Sequence, residues 1–286
     1  MTGLNEIVRR EYPSGRERVL LATDALVESP NFSPDGANLY FNSRGSLFRM
    51  PAEGGRAERV DTGFAKKLNN DHGISPDGRY LALSDSTQTG KSCIYLVDAG
   101  GGEPRRLTAE VPSWWHGWSP DSAAIAYTAV RGGEFCICIC DIGHGRETRM
   151  IGGPGHYDGP DFTPDGEWIW FNSDRGGSMQ LWRMRIDGSA ARAMTADERV
   201  NWFPHPSPDG KTILYLSYGP GVTGHPRDLD VELRAMPAGG GKPETLVALF
   251  GGQGTINVPP WSPDSATFAY VRYGRTDSGA NSEESR

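Results

Sequence analysis

A four-residue turn written six times constrains this chain more than any other feature. The copies read SPDG at Ser33 and Ser75, SPDS at Ser119, TPDG at Thr163, SPDG at Ser207 and SPDS at Ser262. They start 42, 44, 44, 44 and 55 residues apart, a period that carries one supersecondary unit per copy. A length of 286 residues would allow two average domains, but repetition at one period indicates a single closed array.

Between turns, each repeat carries the same short β-prone runs. The fourth has Trp168 to Asn172 (WIWFN), Gln180 to Ile186 (QLWRMRI), an Asp187-Gly188 turn and Arg192 to Thr195 (RAMT). The second matches it with YLALS from Tyr80, SCIYLVD from Ser92 and RRLT from Arg105. With the run that enters the next turn, this makes four strands in about 44 residues, the pattern of a propeller blade. The expected fold is all-β, a six-bladed β-propeller of four-stranded antiparallel blades. The sixth repeat stops after TFAYVRY, and its missing strands match EIVRRE and ERVLLA near the N-terminus. An N-terminal hairpin should therefore complete the last blade and close the ring, which removes exposed sheet edges. The expected divisions of a propeller over 1–273 are 28–62, 70–108, 114–151, 158–195 and 202–247 for blades one to five. Residues 257–273 with 1–22 are expected to form blade six, and 274–286 a disordered polar tail.

A net charge of -7 argues against a nucleic-acid partner, which needs a concentrated basic surface. No run approaches the roughly 18 apolar residues of a membrane span, and the opening MTGLNEIVRREYPSG has no apolar signal region. The four cysteines, Cys93 and the CICIC cluster at Cys136, Cys138 and Cys140, do not make a disulfide framework. A cytoplasmic location is expected, or a periplasmic one if a leader has been removed. Alternation along a strand puts the three clustered thiols on one face, for packing against the next blade or for a soft-metal or redox site.

The turn itself reads as scaffold. Proline is pre-set for the second position of a type I turn and Ser or Thr can bond the local backbone, so Ser122 and Ser265 in the fourth position are expected to be compatible. Six equivalent copies argue against a catalytic serine. The bulky residues just before the turns, Phe32, Ile74, Trp118, Phe162 and Trp261, should fill the space between blades, with Pro206 the exception.

The repeats stop agreeing two to five residues before each turn, where the innermost strand enters the central channel. These positions read Glu28-Ser-Pro-Asn31, Asn70-Asp71-His72, Trp114-Trp115-His116, Asp158-Gly-Pro-Asp161, Trp202-Phe-Pro-His205 and Asn257-Val-Pro-Pro260. Of six histidines, His72, His116, His156 and His205 fall at or just before this rim. The expected ligand-binding set is Asn70, Asp71, His72, Trp115, His116, Asp158, Asp161, Trp202, His205, Asp228 and Asn257. Imidazoles at His72, His116, His156 and His205 beside these carboxylates would suit a divalent cation such as Zn, Mn or Ni. Alternatively His72, His116, Asp158 and Asp161 would act as acid and base on a bound molecule, or the whole set would only cap strand ends. The tryptophans favour a ligand with stacking faces, such as a sugar ring. The extra length of blade five lies in YGPGVTGHPRDLD, from Tyr218, a candidate lid carrying His225, Arg227, Asp228 and Asp230. The Gly251 to Asn257 loop lacks the Lys and helix of a phosphate-binding loop.

These residues resemble the TolB-like Pro-Asp propeller repeats, which also occur in prolyl oligopeptidases and oligogalacturonate lyases. The stretches NNDHGISPDG, WHGWSPDS, WFPHPSPDG, HPRDLDVELRAM and LFGGQGTINVPPWSPDS look like small standalone bacterial proteins provisionally assigned as TolB. TolB itself is a periplasmic partner of an outer-membrane lipoprotein and has an extra N-terminal domain that is not expected here. The resemblance implies a binding module that recognises a small polar ligand or a protein segment at one channel mouth. In the lyases a His-Pro-His stretch before the turn supplies metal ligands. FPHPSPDG is similar around His205, with Phe203 in the place of the first His, and the alternative it implies is a metal-assisted lyase or hydrolase on a carbohydrate-like substrate.

Overall fold

The computed structural model describes residues 3–275, and every regular element in them is a β-strand. Five four-stranded antiparallel sheets follow one another in sequence. In the fourth blade Tyr157–Phe162, Trp168–Ser173, Gln180–Arg185 and Arg192–Ala193 are hydrogen-bonded in that order. The innermost strands of blades one to five are Glu28–Phe32, Leu68–Ile74, Ser113–Trp118, Tyr157–Phe162 and Val200–Pro206. Both faces of the inner strands are buried between neighbours, which is why YLALS and WIWFN are apolar without alternation.

The ring closes through the chain ends. Asn5–Glu11 pairs on one side with Glu17–Thr23 and on the other with Thr267–Arg272, with Ile7 opposite Val271. The innermost strand of blade six is reduced to a bridge between Trp261 and Phe268. Gly274 and Arg275 were expected to begin a disordered tail. Instead Gly274 N donates to Asn5 Oδ1 at 3.0 Å, and Gly3 N donates to the Arg275 carbonyl at 3.0 Å. The rest of the expected tail lies outside the described residues.

The turns hold their shape through the first and third side chains. Ser75 Oγ donates to Asp77 Oδ1 at 2.6 Å and accepts from Tyr80 N at 3.0 Å, while Gly78 N donates to the Ser75 carbonyl at 2.8 Å. The fourth residue is left-handed, with φ 72° at Gly78. A serine there is thus less free than the type I reading implies, since Ser122 and Ser265 carry φ of 61° and 60°. Each of these serines reaches the turn of the preceding blade. Asp77 N donates to Ser122 Oγ at 3.0 Å, and Asp209 N donates to Ser265 Oγ at 2.9 Å.

Cys136, Cys138 and Cys140 are buried with Trp115, Trp118, Ile94 and Leu96, as inter-blade packing requires. Cys136 Sγ lies 3.7 Å from Cys138 Sγ, closer than the spacing of alternate side chains on a regular strand. The strand that carries them is in unbroken register with Ala124–Arg131, and the extra residue of the adjacent bulge, Met150, lies on the outer strand.

Candidate functional site

The site is built by a break repeated in the inner strands. Register shifts fall between Glu28 and Asn31, Leu68 and His72, Trp115 and Gly117, Asp158 and Asp161, and Trp202 and His205. In three blades the break holds a left-handed residue before a proline: Ser29, Gly159 and Phe203, with φ of 54°, 60° and 54°. A polar residue on the second strand reaches across to secure the next blade at this level. Asn172 Oδ1 accepts from Phe203 N at 2.9 Å, Ser84 Oγ from Trp115 N at 2.8 Å, and Thr128 Oγ1 donates to Asp158 Oδ1 at 2.7 Å.

At the mouth where the inner strands begin, a cavity of about 220 Å³ opens. Its ionisable lining comes from Asp71, His116, His156, Asp158 and His225, with Asn69, Thr128, Gln253 and Asn257 as neutral polar groups, and its apolar walls from Trp114, Phe135 and Phe203. Asp158 is the hub. His116 Nε2 lies 3.0 Å from its Oδ1, and His156 Nε2 and His225 Nε2 lie 3.3 and 3.7 Å from its Oδ2. Gly159 N also donates to Asp158 Oδ1, at 2.8 Å. Burial would raise the Asp158 pKa, but the hydrogen bonds and charge of His116 and His156 hold it well below the ordinary carboxylate value. Burial would likewise lower His116, yet Asp158 and Asp71 raise it. Its other nitrogen, Nδ1, faces the Asn257 carbonyl at 3.3 Å. Both partners can only accept, so the doubly protonated imidazolium satisfies the geometry.

Asp71 is different. Asn69 Nδ2 donates to its Oδ2 at 2.7 Å, but its buried Oδ1 has no hydrogen-bond partner. Burial pushes its pKa up to about 7, with the negative charges of Asp158 and Glu28 adding to the shift. Rings frame the space: Phe135 stacks on His156 with centroids 4.0 Å apart, and His116 lies over Phe203 at 5.9 Å.

The blade-five insertion brings His225 to this mouth. Tyr218 Oη donates to the Pro226 carbonyl at 3.0 Å, and a Cβ on Gly252 would lie 2.1 Å from that same oxygen, so only glycine lets the loops touch. His225 then meets Trp202 with centroids 4.4 Å apart. Burial lowers its pKa.

Not all the expected residues gather here. Asp228 was expected at the mouth, but it is exposed and pairs with its neighbour Arg227 at 3.2 Å. Trp115 and Asp161 line a second cavity of about 380 Å³ at the opposite end of the channel, ringed by the six turn prolines Pro34, Pro76, Pro120, Pro164, Pro208 and Pro263. Three residues of strand advance roughly 10 Å, which is enough to carry Asp161 away from Asp158. Trp118, Phe162 and Trp261 also line this apolar end, so they do more than fill space between blades.

His205 has both ring nitrogens engaged, Nδ1 at 3.1 Å from Asp161 Oδ2 and Nε2 at 2.7 Å from the Ile256 carbonyl. His72 is fully buried outside the cavity, and burial takes its pKa down to about 3. The expected metal set His72, His116, His156 and His205 therefore does not converge. Among the described residues no three His, Cys, Asp or Glu side chains take a metal-holding arrangement. Asn257 lines the cavity, whereas Asn70 is buried outside its lining; the two face each other at 3.5 Å, Asn257 Nδ2 to Asn70 Oδ1. Trp202 is buried behind His156 and His225. Sequence reading missed Thr128 and Phe135, which belong to the second and third strands of blade three and carry no signal relative to the turn.

Fold and site together define a six-bladed propeller with a polar pocket at one mouth and an apolar ring of prolines at the other. Residues 112–234 match the TolB beta propeller domain family. The chain is 53% identical over 257 residues to an uncharacterised protein of Agrobacterium fabrum, covering 90% of this chain and 88% of the other. A solved structure from Agrobacterium tumefaciens, provisionally assigned as TolB, superposes with a TM-score of 0.94 at 49% identity, covering 96% of this chain and all of that one. The chain belongs to the TolB-like propeller family. The Tol-Pal system protein TolB of Francisella tularensis is 24% identical over 225 residues, 75% of this chain, and the match spans about half, 51%, of that relative.

Proposed function

We propose that this protein is a binding module whose ligand is a small polar molecule held in the cavity around Asp158. The observation that carries this reading is the convergence of three imidazoles, His116, His156 and His225, from three blades on one buried carboxylate beside an open space of about 220 Å³. A scaffold needs one such partner, whereas a recognition site needs polar groups held in place before the ligand arrives. A space of about 220 Å³ lies below the usual size range of drug-sized ligand sites and fits a small molecule better than a protein segment. The metal-assisted lyase or hydrolase reading draws no support from the histidines, since His116 and His205 have both nitrogens engaged.

The test is a thermal-shift and calorimetric screen of sugars, polyols, amines and carboxylic acids against the whole chain. At least one class should raise the melting temperature, and His225→Ala should remove that rise while the unliganded protein melts within a few degrees of wild type. A folded protein that binds nothing in any class would overturn the reading.

A further inference from the structure

We infer that the ligand carries a protonated primary amine, seated against Asp71 and Asp158 in the cavity that Trp114, Phe135 and Phe203 wall off. This rests on the proposed function and adds the charge of the molecule bound. The first ground is hydrogen bonding. Asp71 is 5% exposed, lines the cavity and leaves Oδ1 without a donor. A buried carboxylate oxygen in that state is costly, and only a group with an N–H or O–H relieves it. Among the fully buried side-chain atoms of the wall, His225 Nδ1 also lacks a partner.

The second ground is charge. Asp158 is matched by His116, 3.0 Å away. Glu28, behind Asn70, feels the positive charge of Arg227. Asp71 makes no ion pair of its own: it feels the charge of His116 only at a distance, since that ring is bonded to Asp158, and no lysine or arginine lines the cavity. A neutral hydroxyl would fill the hydrogen bond but leave the charge buried, and an anion would meet two carboxylates. An ammonium group answers both needs with three donors.

The third ground is the wall itself. Trp114 and Phe135 lie 6.3 Å apart between centroids with planes 22° apart, and Phe203 closes another side. Phe135 is stacked on His156 and Phe203 on His116, so these walls supply apolar cover that keeps water from a charged pair. Phe203 is held at φ 54°, a strained conformation for a bulky residue, and this aims its ring at the same space. Burial raises Asp71 to about 7, a shift that a bound cation would reverse.

Three molecules of similar length separate the possibilities: 1,4-diaminobutane, 1,4-butanediol and succinate, titrated calorimetrically into the whole chain at pH 7.5. The diamine should bind about tenfold or more tighter than the diol, with no detectable binding of succinate. Asp71→Asn should lose about tenfold or more of the diamine affinity and leave any diol binding unchanged. If the diol or succinate binds as tightly as the diamine, or if folded Asp71→Asn keeps full diamine affinity, the amine is wrong while the binding reading stands. If none of the three binds and the wider screen is also empty, the binding reading falls and takes this inference with it. The wild-type comparison decides the matter even where Asp71→Asn fails to fold.

Discussion

His116 Nε2 lies 3.0 Å from Asp158 Oδ1 across the boundary between blades three and four, with the two side chains 3% and 10% exposed. Removing either partner leaves the other charged and buried, which typically costs about 3–5 kcal/mol. His116→Ala should destabilise the protein by about that amount in urea unfolding. Adding Asp158→Asn to it should cost less than the sum of the single changes, because the charge stranded by the first is removed by the second. Strict additivity would show that the pair is not coupled.

Two buried groups pull stability in opposite directions with pH. Asp71 is raised to about 7, so the folded state holds a proton that the unfolded chain releases near pH 4. Stability is therefore lost as pH rises from about 4 through 7, and the loss is complete above that. Asp71→Asn should raise the melting temperature at pH 8, by about 2–4 °C per kcal/mol recovered, and do little at pH 4. Equal effects at both pH values would contradict the assignment.

His72, lowered to about 3, stays neutral in the folded state where the unfolded imidazole takes up a proton. Its contribution falls as pH drops from about 6.5 toward 3. His72→Gln should flatten this part of the stability profile, measured by urea midpoints between pH 4 and 7. An unchanged slope would mean that the ring is protonated when folded.

Ser122 combines a left-handed backbone with a hydrogen bond from Asp77 N. Ser122→Gly removes the bond but also relieves the backbone, so it should be nearly neutral. Ser122→Ala loses the bond and keeps the strain, and should cost about 0.5–1.5 kcal/mol more than the glycine variant. The reverse order in thermal denaturation would show that backbone strain there is negligible.

Deleting residues through Thr23 removes both N-terminal strands and leaves Thr267–Arg272 as an open edge. The shortened chain should lose its cooperative melting transition or self-associate on gel filtration. A monomer with a wild-type transition would mean that the ring does not need its closure.

The six turns and their spacing were sufficient for the architecture, because a blade is defined by local periodicity and turn chemistry, and these are written in consecutive residues. The N-terminal closure was legible for the same reason: EIVRRE and ERVLLA copy runs seen elsewhere. The site was legible only in part. His116, Asp158 and Asp71 could be marked by their distance from a turn, and His225 by the insertion that carries it. Asp161 was grouped with Asp158, yet one strand passes from end to end of the channel and delivers them to different mouths. Which imidazoles are free, which carboxylate is paired and which is left bare depend on contacts between blades tens of residues apart, such as Thr128 with Asp158 and His116 with Asn257. Those distances are set when the ring closes, so the tertiary structure alone decided that Asp158 is held by imidazoles from three blades and that the Asp71 side chain is bonded by Asn69 alone.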